Sequence, residues 1–301
     1  MLRFVRVIGF SSLASSKKLV EPSKIYNPTF PNYNPYHFIS SKNSLRSLCN
    51  FVTPINCAHN GEEVLGQQEE LIIPKHVAIV LDGSRRWHKN HGLDLDYKPF
   101  FQACMRFFEC CLKWKVSSAT LYAYGLRNFK MRSKEEVDLF LNQLETFLEE
   151  ELEYFTRQGV RVLAVGEKYM LSESLQATIK NVEEATKDNA KLDLVLPTCY
   201  TSQSDIVQAT RKICHKVKEG SITIEDVDED LIQQHLAVLG SRPIPDLFIR
   251  TGGQLRVGML LGWQIADVHL HITNTCAPDF GEDVFLDALR SYQQRHTMFG
   301  R

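Results

Sequence analysis

The sequence predicts an α/β domain built on a central, mostly parallel sheet flanked by helices, and three observations predict it. Runs such as HVAIVLD (His76–Asp82) and LDLVLP (Leu192–Pro197) are near-continuous in apolar residues, as in strands buried on both faces. Amphipathic helical stretches separate these runs, which is the order that builds a parallel sheet. The 301 residues, 44% of them hydrophobic, suffice for one sizeable core plus extra chain.

The N-terminal stretch stands apart. From Met1 to Asn60 the only acidic residue is Glu21, and basic residues (Arg3, Arg6, Lys17, Lys18, Lys24, Lys42, Arg46) are scattered among many serines. The segment PSKIYNPTFPNYNPYHF has neither a helical nor a strand period. Residues 1–60 therefore read as an organelle transit peptide or disordered arm, 61–72 as a linker, and 73–301 as one folded domain. Within that domain a strand at His76–Asp82 leads to a helix through Phe100–Trp114 and a strand at Ala119–Tyr124. A long acidic helix, Ser133–Gln158, puts a solvated face over an apolar stripe. A strand at Val160–Gly166, a helix through Leu171–Asn189, the strand Leu192–Pro197 and a helix at Ser204–Val217 follow. Strands at Asp246–Thr251 and Val268–Thr273 and a helix at Glu282–Gln294 complete the order.

Composition excludes some classes of function. With 35 Lys and Arg against 36 Asp and Glu, the chain lacks the basic excess of a nucleic-acid binder, so no nucleic-acid partner is expected. No apolar run approaches the roughly 20 residues of a membrane span, so no stable membrane insertion is expected. The 8 cysteines include no CxxC pair and read as reduced, partly buried thiols. His269 and His271 share one face of a strand, but no third ligand stands at zinc-site spacing.

The chemistry gathers at strand ends, where ligands of open α/β sheets bind. Asp82-Gly83-Ser84-Arg85-Arg86-Trp87 directly follows the first strand. Gly83 permits a close turn whose N–H groups can form an anion nest, and Arg85 and Arg86 can clamp phosphate oxygens. Asp82 suits Mg²⁺, which takes carboxylate together with substrate phosphate. A second turn, Arg250-Thr251-Gly252-Gly253-Gln254-Leu255-Arg256, puts arginines on both sides of a Gly-Gly pair. Either turn alone could be a solvated polar loop. Together they point to an enzyme holding two phosphorylated groups, with a metal near one.

These segments resemble the cis-prenyltransferase, undecaprenyl diphosphate synthase-like family. HVAIVLDGSRRW resembles its opening motif, LYAYGLRNFK its second, PDLFIRTGG its Ile-Arg-Thr motif and PDFGEDVFLDALRSYQQR its closing helix, in order, over about Ile73 to Arg301. The resemblance implies a parallel-sheet catalytic domain over 73–301, enclosing a hydrophobic tunnel and paired as a homodimer. It implies Mg²⁺ at Asp82, an allylic diphosphate on Gly83, Ser84, Arg85 and Arg86, a catalytic role for Asn128 beside Asp82, and a second prenyl diphosphate at Arg250, Arg256 and Gly258. With the Ser content of the N-terminus, it implies import into a plastid.

The departures from the family pattern fall mostly on the second-substrate side. Val257-Gly258-Met259 replaces Leu-Ser-Asn, Gln254 replaces Glu, His269 replaces a strand Glu, and Met298-Phe299-Gly300 lacks the closing Arg. The stretch Gly92–Tyr97 is shortened, Gly125 stands for Ser, and Cys199-Tyr200-Thr201-Ser202-Gln203 stands for Asn-Tyr-Gly-Gly-Arg. The allylic side keeps Asp82, Gly83, Arg85, Arg86 and Asn128. Such a pattern implies a changed second substrate, as in the branch of the family that joins two dimethylallyl diphosphates head-to-middle into a branched monoterpene precursor. Phe100, Phe101, Phe107 and Phe108 are expected to fill the tunnel, or else to pack as ordinary core. The released diphosphate or His269 would take the final proton. The alternatives are a regular short-chain synthase making neryl diphosphate and a non-catalytic partner subunit.

Overall fold

A computed structural model describes residues 71–294, with the exception of 123, 240 and 241. The expected transit segment 1–60 and the Met298-Phe299-Gly300 departure lie outside the described residues. The chain divides into two units, Met1–Gly66 and Gln67–Arg301, and every described residue belongs to the second.

Among the described residues seven strands form one sheet: β1 (His76–Val80), β2 (Ser118–Tyr122), β3 (Tyr124–Gly125), β4 (Val160–Val165), β5 (Leu192–Tyr200), β6 (Leu247–Arg250) and β7 (His269–Ile272). Their order is β4-β5-β2-β1-β6-β7, with β3 extending the line of β2 along the far half of β5. Every described pairing is parallel. Strand β1 is buried along its whole length. Its side chains alternate between two cores: Val77 and Ile79 face one, Ala78 and Val80 the other. That two-sided burial is why the strands read as continuous apolar runs.

Nine α-helices are described: α1 (Ser84–His91), α2 (Lys98–Lys113), α3 (Leu126–Met131), α4 (Lys134–Glu150), α5 (Leu152–Gln158), α6 (Glu173–Thr186), α7 (Ser202–Lys218), α8 (Glu229–His235) and α9 (Glu282–Gln293). Helix α2 begins with Pro99 in its first turn, where a missing N–H costs nothing. Helix α4 begins at Ser133, whose side chain accepts the Glu136 N–H.

Two differences from the sequence expectation have physical causes. The single helix expected over Ser133–Gln158 breaks at Glu151 (φ −93°, ψ 0°), and no Gly or Pro marks the break. The turn lets α5 bury Phe155 completely against Phe108 and Phe147. Helices α1, α3 and α8 were not expected. They are 8, 6 and 7 residues long, too short to display a period, and α1 (SRRWHKNH) is almost wholly polar.

Register brings the strand ends together. Val80 pairs with Tyr122 on one side and Arg250 on the other, and Arg250 pairs with Ile272. The residues that follow Val80, Tyr122 and Arg250 therefore meet at one edge of the sheet.

Candidate active site

Asp82 is fixed first through its backbone. Its N–H donates to Thr251 Oγ1 (2.7 Å), the Thr251 hydroxyl donates to Asp82 O (2.7 Å), and the Ala277 N–H donates to the same oxygen (2.9 Å). Thr251 is fully buried, so this clasp excludes water. Gly83 then turns at φ +112°, where a Cβ would lie 2.9 Å from Cys276 Sγ. The turn opens into α1, whose first N–H groups have no acceptor within the helix and no side-chain cap, the condition under which a helix N-terminus can receive an anion. The outer side of α1 is anchored by Trp87, whose Nε1–H donates to Asp279 Oδ1 (2.7 Å).

The Asp82 carboxylate stands between two arginines. Arg250 Nη2 donates to Oδ2 at 2.8 Å, and Arg86 Nη2 lies 3.7 Å from Oδ1. Arg250 is only 5% exposed, and its Nη1 donates to the Arg256 carbonyl at 2.9 Å. Gly252 and Gly258 make room for these guanidinium groups. A Cβ would lie 2.4 Å from Arg86 Nη2 at Gly252 and 2.9 Å from Arg250 Nη1 at Gly258, and both residues have positive φ.

Beside Asp82 opens a cavity of about 490 Å³. Its polar end is lined by Asp82, Gly83, Ser84, Arg85, Arg86, Lys89, Asn128 and Arg132, and its apolar end by Leu81, Tyr97, Phe100, Tyr124 and Phe140. Tyr124 and Phe140 stack with centroids 4.3 Å apart and form the floor. Behind them remains a gap of about 10 Å³, room for about one water and no isoprene unit. Beyond it Phe101 and Phe147, stacked at 4.9 Å, close the way to an outer groove between α2 and α4. Phe100 and Phe101 thus stand where the sequence placed them, on the apolar path. Phe107 and Phe108 take the other place the sequence allowed them, ordinary core packing against Phe280, Phe285 and Phe155.

The structure brings Asp82, Gly83, Ser84, Arg85, Arg86 and Asn128 into this one cavity. Arg250 joins it through Asp82, Arg256 lends its carbonyl to Arg250 while its side chain is exposed, and Gly258 packs on Arg250. Sequence reasoning missed Lys89, Arg132 and Glu136. Glu136 accepts from Arg132 Nη1 (2.6 Å) and Tyr97 Oη (2.8 Å), and Arg85 Nε lies 3.8 Å away. The signals were present: Lys89 follows Arg85 by one helical turn, and Arg132 and Glu136 are a helix-spaced ion pair.

His269 is placed otherwise than as a base. It pairs with Leu247 at the opposite end of the strands, three residues before Ile272, or about 10 Å from the site edge. Its ring packs on Tyr292, with centroids 5.2 Å apart.

Comparison with known proteins agrees with this geometry. The family model described as "Putative undecaprenyl diphosphate synthase" matches residues 80–300. The chloroplastic cis-prenyltransferase 4 of Solanum lycopersicum is 36% identical over 93% of this chain and 93% of its own length. The chloroplastic (2Z,6Z)-farnesyl diphosphate synthase of the same plant is 43% identical over 76% of this chain and 80% of its own.

The chain belongs to the undecaprenyl diphosphate synthase family of cis-prenyltransferases.

Solved cis-prenyltransferases share its fold. Lavandulyl diphosphate synthase from Lavandula x intermedia, in complex with dimethylallyl diphosphate, superposes with a TM-score of 0.73 at 33% identity, covering 76% of this chain and 98% of that one. A probable undecaprenyl diphosphate synthase from Campylobacter jejuni gives 0.63 at 26% identity, covering 77% and 100%. Among the described residues of this cis-prenyltransferase no group of three or more His, Cys, Asp or Glu could hold a metal by itself. The one carboxylate among the cavity's lining residues is Asp82. That donor set fits a divalent cation shared with diphosphate oxygens, the manner in which Mg²⁺ is bound by one or two carboxylates plus substrate phosphate.

Proposed function

We propose that this cis-prenyltransferase joins two dimethylallyl diphosphates head-to-middle to give lavandulyl diphosphate, with Mg²⁺, as a homodimer in plastids. The observation that carries the reading is Gly258. At φ +86°, with Arg250 Nη1 2.9 Å from where a Cβ would stand, a serine here would strain the backbone and push the Arg250 guanidinium aside. On this reading the second-diphosphate loop departs from the family pattern by more than one hydroxyl, while the allylic side is kept. The closed aromatic floor adds a limit of size, since the cavity has no room beyond a short prenyl chain.

The residues then take these roles. The first diphosphate lies on the N–H groups of α1 and is held by Arg85, Arg86, Lys89 and Arg132, which stabilise the charge that develops as its C–O bond breaks. Bound at Asp82, Mg²⁺ would supply further Lewis-acid stabilisation of that leaving group. Leu81, Phe100, Tyr124 and Phe140 hold the allylic fragment away from water. Arg250 and Arg256 hold the second diphosphate across Asp82, which brings the middle carbon of its double bond to the ionising carbon. Asn128 orients the first diphosphate at the cavity wall. The chloroplastic relatives support the plastid location.

A second reading is favoured by the 43% identity to a (2Z,6Z)-farnesyl diphosphate synthase: regular addition of isopentenyl diphosphate to a short cis product such as neryl diphosphate. One experiment decides. The purified chain is given Mg²⁺ and dimethylallyl diphosphate alone, then with isopentenyl diphosphate, and the dephosphorylated products are identified by gas chromatography–mass spectrometry. Lavandulol from dimethylallyl diphosphate alone is expected. Nerol or a longer linear alcohol that forms only with isopentenyl diphosphate would replace this reading with the second.

A further inference from the structure

Prenyl coupling ends when a carbocation loses a proton, and the acceptor must lie in the dry half of the site. Such a cation is so strong an acid that placement and dryness, not basicity, select the acceptor. The cavity's cationic residues have no lone pair to offer. Two tyrosines line its apolar end. Among the described residues Tyr124 Oη is buried without a hydrogen-bond partner, so a proton delivered there has no onward path among them. Tyr97 differs. Its hydroxyl donates to Glu136 Oε1 at 2.8 Å, and its side chain is only 5% exposed. Its ring stands edge-on to Phe100 and Phe140, and its N–H donates to Gln143 Oε1 at 2.8 Å, so its position is fixed from two sides.

We infer that the Tyr97–Glu136 pair is the proton acceptor of the coupling step. A C–H bond of the cation breaks and its electron pair becomes the new C=C bond. The proton bonds to Tyr97 Oη as the hydroxyl's own proton passes to the Glu136 carboxylate, so tyrosine ends neutral and Glu136 ends as the acid. Neutral Glu136 relaxes its hold on Arg132 and Arg85, which turn to the diphosphate released in the same turnover. Glu136 afterwards loses the proton to water.

The inference rests on the prenyl-transfer reading and holds for either coupling mode. The test uses the full chain with Tyr97→Phe and Glu136→Gln. The first keeps the ring, and the second keeps an oxygen that accepts from Tyr97 and Arg132 but takes no proton. Each is assayed with methyl-deuterated dimethylallyl diphosphate alone and with isopentenyl diphosphate deuterated at the carbon that loses the proton. The coupling mode is read from the wild-type product, separately from the isotope effect. Expected for both variants are a kcat lower by roughly 10²-fold, the low end for a general base, and a deuterium isotope effect larger than that of wild type. Binding of a dimethylallyl thiolodiphosphate should stay within about twofold in Tyr97→Phe, where no diphosphate ligand has been touched, and should hold or tighten in Glu136→Gln, where Arg132 and Arg85 are released toward the diphosphate. Wild-type kcat in both variants, or a kcat loss that carries no isotope effect, would overturn the inference and leave the released diphosphate as acceptor. Should one variant fail to fold, the other decides alone.

Discussion

On the proposed function, Phe140 is the residue on which a limit of chain length would turn. It is 1% exposed, stacks on Tyr124 at 4.3 Å, and touches the rings of Tyr97, Phe100 and Phe101. Phe140→Ala opens the cavity toward the gap behind it. A buried Phe→Ala change costs about 3–5 kcal/mol, or roughly 6–20 °C of Tm at 2–4 °C per kcal/mol for a domain of this size. The same change gives a longer allylic chain somewhere to lie. Neryl diphosphate carries five more carbons than dimethylallyl diphosphate. At about 0.8 kcal/mol per buried CH₂ their burial is worth at most ~4 kcal/mol, or about 10³-fold in affinity. Calorimetry with the two thiolodiphosphates should therefore find wild type favouring the shorter one. In Phe140→Ala the preference should move toward the longer one by at least about tenfold, and Phe140→Leu should fall between with a smaller loss of Tm. A folded Phe140→Ala protein with the wild-type preference would refute the aromatic floor as the length limit.

Two further perturbations test the frame of the site and the neutral core beneath it. Gly252→Ala puts a Cβ 2.4 Å from Arg86 Nη2 and 3.0 Å from Asp82 O at φ +78°, so Arg86 must move. The left-handed backbone alone costs about 1–2 kcal/mol. KM for dimethylallyl diphosphate should rise about tenfold with a Tm loss of a few degrees, and steady-state kinetics with an unchanged KM would remove Arg86 from diphosphate binding. His76 is fully buried, with Nδ1 2.7 Å from the Pro243 carbonyl and Nε2 2.9 Å from Thr120 Oγ1, and burial lowers its pKa from 6.5 to about 4. The carbonyl fixes Nδ1 as the donor, and the ring is neutral when folded. Between pH 6.5 and 4 the unfolded chain binds the extra proton, so stability is full above pH 6.5 and falls as pH drops, by about 3 kcal/mol at pH 4. Urea midpoints across that range should show this slope in wild type and lose it in His76→Asn, and parallel slopes would show that other groups set the acid limit.

Much of this was legible in the chain. The strands were readable because a sheet covered on both faces demands continuous apolar runs, and β1 and β6 do so visibly. The Asp82–Arg86 loop was readable because its chemistry is local: an acid, a glycine, a serine and two arginines in consecutive positions at a strand end. The short helices were not readable. Helix α1 has no apolar stripe: it is almost wholly polar and turns Ser84, Arg85, Arg86 and Lys89 to the cavity instead of packing an apolar face. The break at Glu151 left no mark either, because the packing of Phe155 makes it and no breaker residue does.

The sequence by itself determined the sheet, the order of its main strands and longer helices, the motifs that resemble the family, and the cluster at Asp82–Arg86. Those depend on periodicity and on contiguous chemistry, which a single chain records directly. Only the tertiary structure decided which residues meet. It set Arg250 on Asp82 across 168 positions of chain and made Phe140 of α4 the floor beneath Tyr124 of β3. It kept Phe107 and Phe108 in the core, carried His269 to the far end of β7, and joined Tyr97 to Glu136. These pairings follow from strand register and from how helices settle on a sheet, and both are set by packing over the whole domain.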